Sequence, residues 1–121
     1  LGDVYKRQDE EWLLEAFINI VQNCSEEAEN VDINVVCNAD KCIITIKDDG
    51  KGIAKDKLDN IFNRFESGKS YNSLHTGIGL NLSKLIIEAH HGSVSVNNNE
   101  DGRGVSFRII IPKYNMKRKA K

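Results

Sequence analysis

Asp32-Ile33-Asn34-Val35-Val36-Cys37-Asn38-Ala39-Asp40-Lys41-Cys42-Ile43-Ile44-Thr45-Ile46-Lys47-Asp48-Asp49-Gly50-Lys51-Gly52-Ile53 is the stretch on which the fold turns. Residues 32–38 alternate, with Ile33, Val35 and Cys37 on one face; residues 42–48 alternate again, with Cys42, Ile44 and Ile46 on one face. A period of two marks strands with one buried side. Asn38-Ala39-Asp40-Lys41 between them is turn-forming, so the two runs are expected to pair as a hairpin. The second strand then runs into Asp48-Asp49-Gly50-Lys51-Gly52-Ile53, where Gly50 and Gly52 let the chain turn sharply and let a ligand approach the backbone.

Outward from this hairpin the period changes. Residues 10–29 set Leu13, Ala16, Phe17, Ile20, Val21 and Cys24 on one helical stripe, with Asp9 standing where an N-cap belongs. Residues 54–62 read as a short helix with Leu58, Ile61 and Phe62 as its apolar positions. Residues 66–77 are small, polar and without period, a loop of the functional kind. A further helix is expected over 79–91, with Leu82, Leu85, Ile86 and Ala89 inward and Gly92 as its C-cap glycine. Strands at 93–98 and 104–111 flank the turn-rich Asn98-Asn99-Glu100-Asp101-Gly102-Arg103, and Pro112 ends the last strand. Helices and strands mix without strict alternation, so the expected class is α+β, a two-layer sandwich.

Bulk properties narrow the function classes. A chain of 121 residues makes one domain with a real core, and its net charge of -1 points to no polyanionic partner, so no nucleic acid is expected. No apolar run approaches the ~18 residues of a membrane span. The three cysteines, Cys24, Cys37 and Cys42, are odd in number and lie in helix or strand, which argues for reduced thiols in a cytosolic compartment acting as small buried hydrophobes. Cys37 and Cys42 stand where they would face each other across the hairpin, but zinc would need further ligands. Asp3 to Gln8 resemble a translated sequencing-adapter segment, so residues 1–8 are expected to be non-native and poorly packed. The domain is then 9–113, followed by a basic tail at 114–121.

Three blocks carry the chemistry. In Asn19-Ile20-Val21-Gln22-Asn23, two amides four residues apart share a helix face beside the apolar stripe. Asn is a poor helix former and costly to bury, but its amide oxygen suits Mg²⁺. In isolation, such amides more often bond neighbouring backbone. Asp48 ends a strand and is acceptor-only, so it can receive an exocyclic amine such as that of adenine. In isolation, Asp-Gly reads as an ordinary turn. Thr76-Gly77-Ile78-Gly79-Leu80 opens a helix whose free N–H groups and dipole attract phosphate, and Lys69, Ser70 and Ser73 add donors. It is neither a Walker loop nor a dinucleotide fingerprint.

Taken in order and spacing, these blocks resemble the N, G1 and G2 boxes of the Bergerat-type ATP-binding fold. Ile61-Phe62-Asn63-Arg64-Phe65 between the last two resembles the F box of sensor histidine kinases. The chain is similar, over roughly Asp9 to Pro112, to the catalytic ATP-binding domain of a two-component sensor histidine kinase. That resemblance implies a mixed sheet covered on one face by helices. It implies ATP and Mg²⁺ as cofactors, with Asn23 on the metal and Asn19 near the triphosphate, both catalytic, and Asp48 on the adenine amine. Gly50, Gly52, Ile53 and Ile78 would shape the base pocket. Residues 66–76 would form a lid, with Phe62 and Phe65 at its base. Thr76, Gly77, Gly79 and Leu80 would meet phosphate, joined by Arg64 and Lys69.

It also implies a histidine-bearing dimerisation domain of the same full-length kinase as phosphoryl acceptor, and a response regulator beyond it. The full-length protein would be a membrane-bound homodimer with this domain cytoplasmic. Two places depart from the family pattern. Glu26 stands where Lys or Arg is common, and His75 replaces the first glycine of the phosphate loop. Asn19 stands where gyrase-like and chaperone-like ATPases carry a water-activating Glu; it cannot act as a base, which favours phosphoryl transfer over hydrolysis. His90 and His91 read as helix-end residues, not acceptors. The competing readings are an anti-sigma-factor-type serine kinase of the same fold and a degenerate, non-catalytic nucleotide-binding module.

Overall fold

A computed structural model describes residues 2–63 and 79–113, with side chains described for 10–24, 28–63 and 79–113. In chain order the elements are α1 (Gly2–Glu27), β1 (Val31–Cys37), β2 (Lys41–Asp48), α2 (Lys55–Leu58), α3 (Leu80–Ala89), β3 (Ser93–Asn98) and β4 (Val105–Pro112). The strands form one sheet in the order β1-β2-β4-β3. Every neighbouring pair among them is antiparallel, where the family resemblance had implied a mixed sheet. Two hairpins, β1–β2 and β3–β4, are joined edge to edge by β2 and β4, and that docking is itself antiparallel.

Register turns the alternation of each strand into rows that cross the sheet. Ile33, Ile46, Phe107 and Val96 form one row, and Val35, Ile44, Ile109 and Val94 the next. These rows face the helices. Ala16, Ile20 and Cys24 of α1 and Leu80 and Ile87 of α3 close over Ile46, Phe107 and Ile109, all buried. Leu13, Phe17 and Val21 pack partly buried beside them, so the α1 stripe read from the sequence is the one used. Each such aliphatic side chain contributes about 1.5–3 kcal/mol by leaving water. The cover stops short of β1, where Ile33 is 56% and Val35 57% exposed despite sharing the inner rows. No helix among the described residues is long and apolar enough to cross a membrane.

Several local expectations are corrected. The helix runs through Asp9, which is therefore no N-cap, and the backbone of residues 2–8 continues it, while the packing of their side chains lies outside the described residues. Extending an existing helix costs far less than nucleating one. The helix expected at 54–62 is four residues of α2 followed by turns, its i−4 bond Asp59 N to Lys55 O giving way to the i−3 bond Asn60 N to Lys57 O. On α3, Leu80, Ser83 and Ile87 point inward, while Leu82 and Leu85 are 40% and 52% exposed and Ala89 is exposed. The apolar arc of that helix is wider than the face it buries, and a buried hydrogen bond from Asn19 to Ser83 goes with the Leu80–Ser83–Ile87 side facing inward.

The C-terminal cap of α3 also shifts by one residue. His91, not Gly92, takes the left-handed conformation (φ 66), with Gly92 N and His91 N bonding back to Ile87 O and Glu88 O. Gly92 is needed for room, since a Cβ there would stand 2.5 Å from the Ile110 carbonyl oxygen. Cys37 and Cys42 are disulfide-bonded (S–S 2.08 Å), against the expectation of reduced thiols. They are direct register partners next to the Asn38–Lys41 turn bond, with Cα atoms 4.0 Å apart. By the alternation of an antiparallel ladder this is the closely approaching, non-hydrogen-bonded position. Cys24 is the free, buried cysteine.

Candidate nucleotide-binding site

β2 delivers Asp48 to the edge of the core, where the residue is only 6% exposed. Its Oδ1 accepts hydrogen bonds from Gly50 N (3.1 Å) and Val105 N (3.0 Å). Two backbone donors on one oxygen hold the carboxylate, and a carboxylate's four lone-pair sites leave capacity for a ligand's amine. Gly104 makes this possible. It is buried at φ 81, and a Cβ there would overlap both the Asp48 backbone and its carboxylate. Cys24 lines the same cavity, and burial, followed by the Asp48 charge and hydrogen bonding to it, pushes its thiol from 9.0 up to about 12. At neutral pH Cys24 is therefore a protonated donor beside Asp48, not a nucleophile.

Asn23 enters the cavity from α1. Its Nδ2 donates to Asn19 O (2.9 Å), which leaves Oδ1 buried and without a hydrogen-bond partner among the described residues. An orphaned buried oxygen costs about 1–3 kcal/mol, so its presence points to a ligand that supplies the missing partner. A hard cation that seeks oxygen fits that atom. Ile53, Ile61, Val105 and Phe107 form the apolar walls, with Gly50, Lys51 and Gly52 at the rim. Phe62 sits edge-on to Phe107 (centroids 6.1 Å, interplanar 83°), with Lys84 Nζ 5.6 Å above its ring. Asn81 Nδ2 donates to Phe62 O at 3.0 Å, tying the F-box segment to the first turn of α3.

Three of the described candidates, Asn19, Gly79 and Leu80, do not line the cavity. Asn19 is fully buried, and its Nδ2 donates to Ser83 Oγ at 2.9 Å, so it joins α1 to α3. Leu80 is 4% exposed and belongs to the core. Gly79 is the N-cap of α3, its carbonyl accepting Leu82 N and Ser83 N. Arg64, Lys69, Thr76, Gly77 and Ile78, with Phe65, His75 and the whole of the lid segment, lie outside the described residues. The side chain of Glu26 does so as well.

The architecture has known counterparts. The family model of histidine kinase-, DNA gyrase B- and HSP90-like ATPases matches residues 8–115. The chain belongs to that family. This ATPase-family domain is 38% identical over 101 residues to the sensor protein SrrB of Staphylococcus aureus, covering 78% of the chain but only 17% of that relative's length. The catalytic domain of histidine kinase ThkA superposes with a TM-score of 0.72 at 31% identity, over 85% of this chain and 67% of that one. A mycobacterial sensor histidine kinase, MprB, shares the fold at 23% identity and a TM-score of 0.66, over 80% of this chain and 69% of that one.

Within the family domain, the sequence reading missed the parts that hold the pocket. Ser83 and Gly104 carried no separate signal, although Gly102-Arg103-Gly104 hinted at backbone needing positive φ. Asn98 and Asn99 read as a polar turn, yet both reach across to the 48–53 loop. Asp49 has a quieter role. Its Oδ1 accepts Glu29 N and Asn30 N, and its Oδ2 accepts Asn30 Nδ2, so it ties down the α1–β1 connection. Those bonds, led by the Asn30 side chain, lower its pKa.

Proposed function

We propose that this chain is the ATP-binding catalytic part of a sensor histidine kinase, holding Mg-ATP for transfer of the γ-phosphoryl group to a histidine on a separate dimerisation domain. One observation carries the reading. A fixed carboxylate, Asp48, and an unpartnered amide oxygen, Asn23 Oδ1, open onto one apolar-walled cavity. Asp48 would take the adenine amine and Ile53 and Phe107 the faces of the base. Asn23 Oδ1 would hold the cation, which when bound neutralises phosphate charge. The lid segment, with Lys69, Thr76 and Gly77, would close on the phosphates, and Arg64 would add charge.

Asn19 would act indirectly, by keeping α1 in register with α3 through Ser83. No carboxylate stands at that position to activate water, which favours transfer over hydrolysis. The partners would be the histidine-bearing domain of a longer protein and, through it, a response regulator. In a membrane-anchored homodimer of that kind this domain would lie on the cytoplasmic side. The test is titration of a fluorescent ATP analogue with and without Mg²⁺, on the chain and on Asp48→Asn. Magnesium-dependent binding that Asp48→Asn weakens is expected. No binding at millimolar nucleotide would overturn the reading.

A further inference from the structure

The β3–β4 turn grips both ends of the loop that shapes the base pocket. At the far end of that loop, Asn98 Oδ1 accepts Ile53 N (3.0 Å) while Asn98 Nδ2 donates to Ile53 O (2.8 Å). At the near end, Asn99 Nδ2 donates to Asp48 O (2.9 Å) and to Arg103 O (2.7 Å). Asn99 Oδ1 accepts Ser106 Oγ, which sets the amide's orientation so that its donors face Asp48. Asn98 lies close under the loop: Gly52, at φ 83, would bring a Cβ within 3.0 Å of Asn98 Oδ1.

These contacts are not needed to close the hairpin itself. Asn99 N to Gly104 O (2.9 Å) and Gly102 N to Asn99 O (3.0 Å) already do that through the backbone. Nor do they reflect core packing at Asn98, which is exposed. Only an amide offers a donor and an acceptor together at this reach, so Asn98 completes both backbone groups of Ile53 as a neighbouring strand would.

We infer that Asn98 and Asn99 are positioning residues for base recognition, setting the distance between the apolar wall at Ile53 and the carboxylate at Asp48. The inference rests on the nucleotide-binding reading above. The two residues act on different halves of recognition. Ile53 meets the face of any purine, whereas Asp48 reads the exocyclic amine that adenine has and hypoxanthine lacks. Asn98 therefore governs affinity, and Asn99 governs discrimination.

The experiment titrates Mg-ATP and Mg-ITP on the unsubstituted chain and on Asn98→Ala, Asn98→Asp and Asn99→Ala. Thermal melting and the amide exchange rate of Ile53 are followed alongside. Both Asn98 variants are expected to raise Kd for the two nucleotides alike, by roughly five- to tenfold, and to speed Ile53 exchange. Asn99→Ala is expected to shrink the ATP-over-ITP preference by a similar factor. Asn98→Asp keeps size and acceptor but exchanges the donor for a negative charge, so with Ile53 exchange as its readout it carries the test if the alanine variant unfolds. Folded variants that bind both nucleotides like the parent, or unchanged exchange at Ile53, would overturn the inference. An equal loss of ATP and ITP in Asn99→Ala would remove its assigned role. If the unsubstituted chain bound neither nucleotide, the functional reading would fall, while Ile53 exchange would still decide whether Asn98 holds the loop.

Discussion

The two ends of β2 are built on different principles. At one end, Asp48 is buried, held by two backbone N–H groups, crowded by Gly104 and braced through its carbonyl by Asn99. At the other, Cys42 sits beside a four-residue turn and is joined to its register partner Cys37 by one covalent bond, with Ile33 and Val35 of β1 largely exposed. The first end is cooperative: each contact constrains a group that others also hold, so a single change propagates. The second is modular: the turn bonds of Asn38, the disulfide and the ladder act in parallel, so each can be lost alone. The proposed site lies at the end where polar groups are buried and constrained, the setting in which fixed polar groups are worth more than their solvation.

Substitutions can break this contrast at several points. Gly104→Ala should have the largest effect, losing about 3 kcal/mol or more of stability in denaturant titration and nucleotide binding with it, because a Cβ overlaps Asp48 and the φ of 81 disfavours any side chain. Asp48→Asn should leave the domain folded, since its amide oxygen still accepts Gly50 N and Val105 N. It should weaken ATP-analogue binding by roughly thirtyfold, the value of a charge-assisted hydrogen bond. At the other end, Cys37→Ser should cost about 2 kcal/mol, as expected for opening a short loop, and leave nucleotide affinity within twofold. A large loss of binding in that variant would show that the two ends are coupled after all.

Two titrations sharpen the same comparison. Cys24 is raised in the fold from 9.0 to about 12, so the folded state favours the thiol; its contribution is intact below pH 9 and is lost as pH rises toward 12. Cys24→Ala should flatten that alkaline limb of the stability curve. Asp49 is lowered from 3.8, so its contribution is present above pH 3.8 and is lost as pH falls through the depressed value. Asp49→Asn should flatten the acid limb, the smallest of these effects, read by chemical denaturation as a function of pH.

Much of this contrast was written in local pattern. The strands, the hairpin turn and the α1 stripe are periodic features that neighbours impose on one another, and they stand where the alternation placed them. Asp48 and Asn23 were legible because their residue types are out of place: a carboxylate closing an apolar strand, and an amide at the edge of an apolar helix stripe. Asn19 bore the same mark for another reason, a partner on α3. Leu82 and Leu85 misled, because an apolar arc wider than the buried face does not say which part of it faces in until Ser83 meets Asn19.

The amino-acid sequence by itself determined the elements, the order of the blocks and the membership in an ATPase family that those blocks announce. These depend on short-range spacing, and spacing is what a sequence records. Only the tertiary structure decided which amide opens onto the cavity, that Cys37 and Cys42 bond, that α3 turns Ser83 inward, and that Asn98 and Asn99 reach back to the 48–53 loop. Each of these joins groups through a register or a helix crossing, and the pairing exists only once the sheet has closed and its polar groups must find partners away from water.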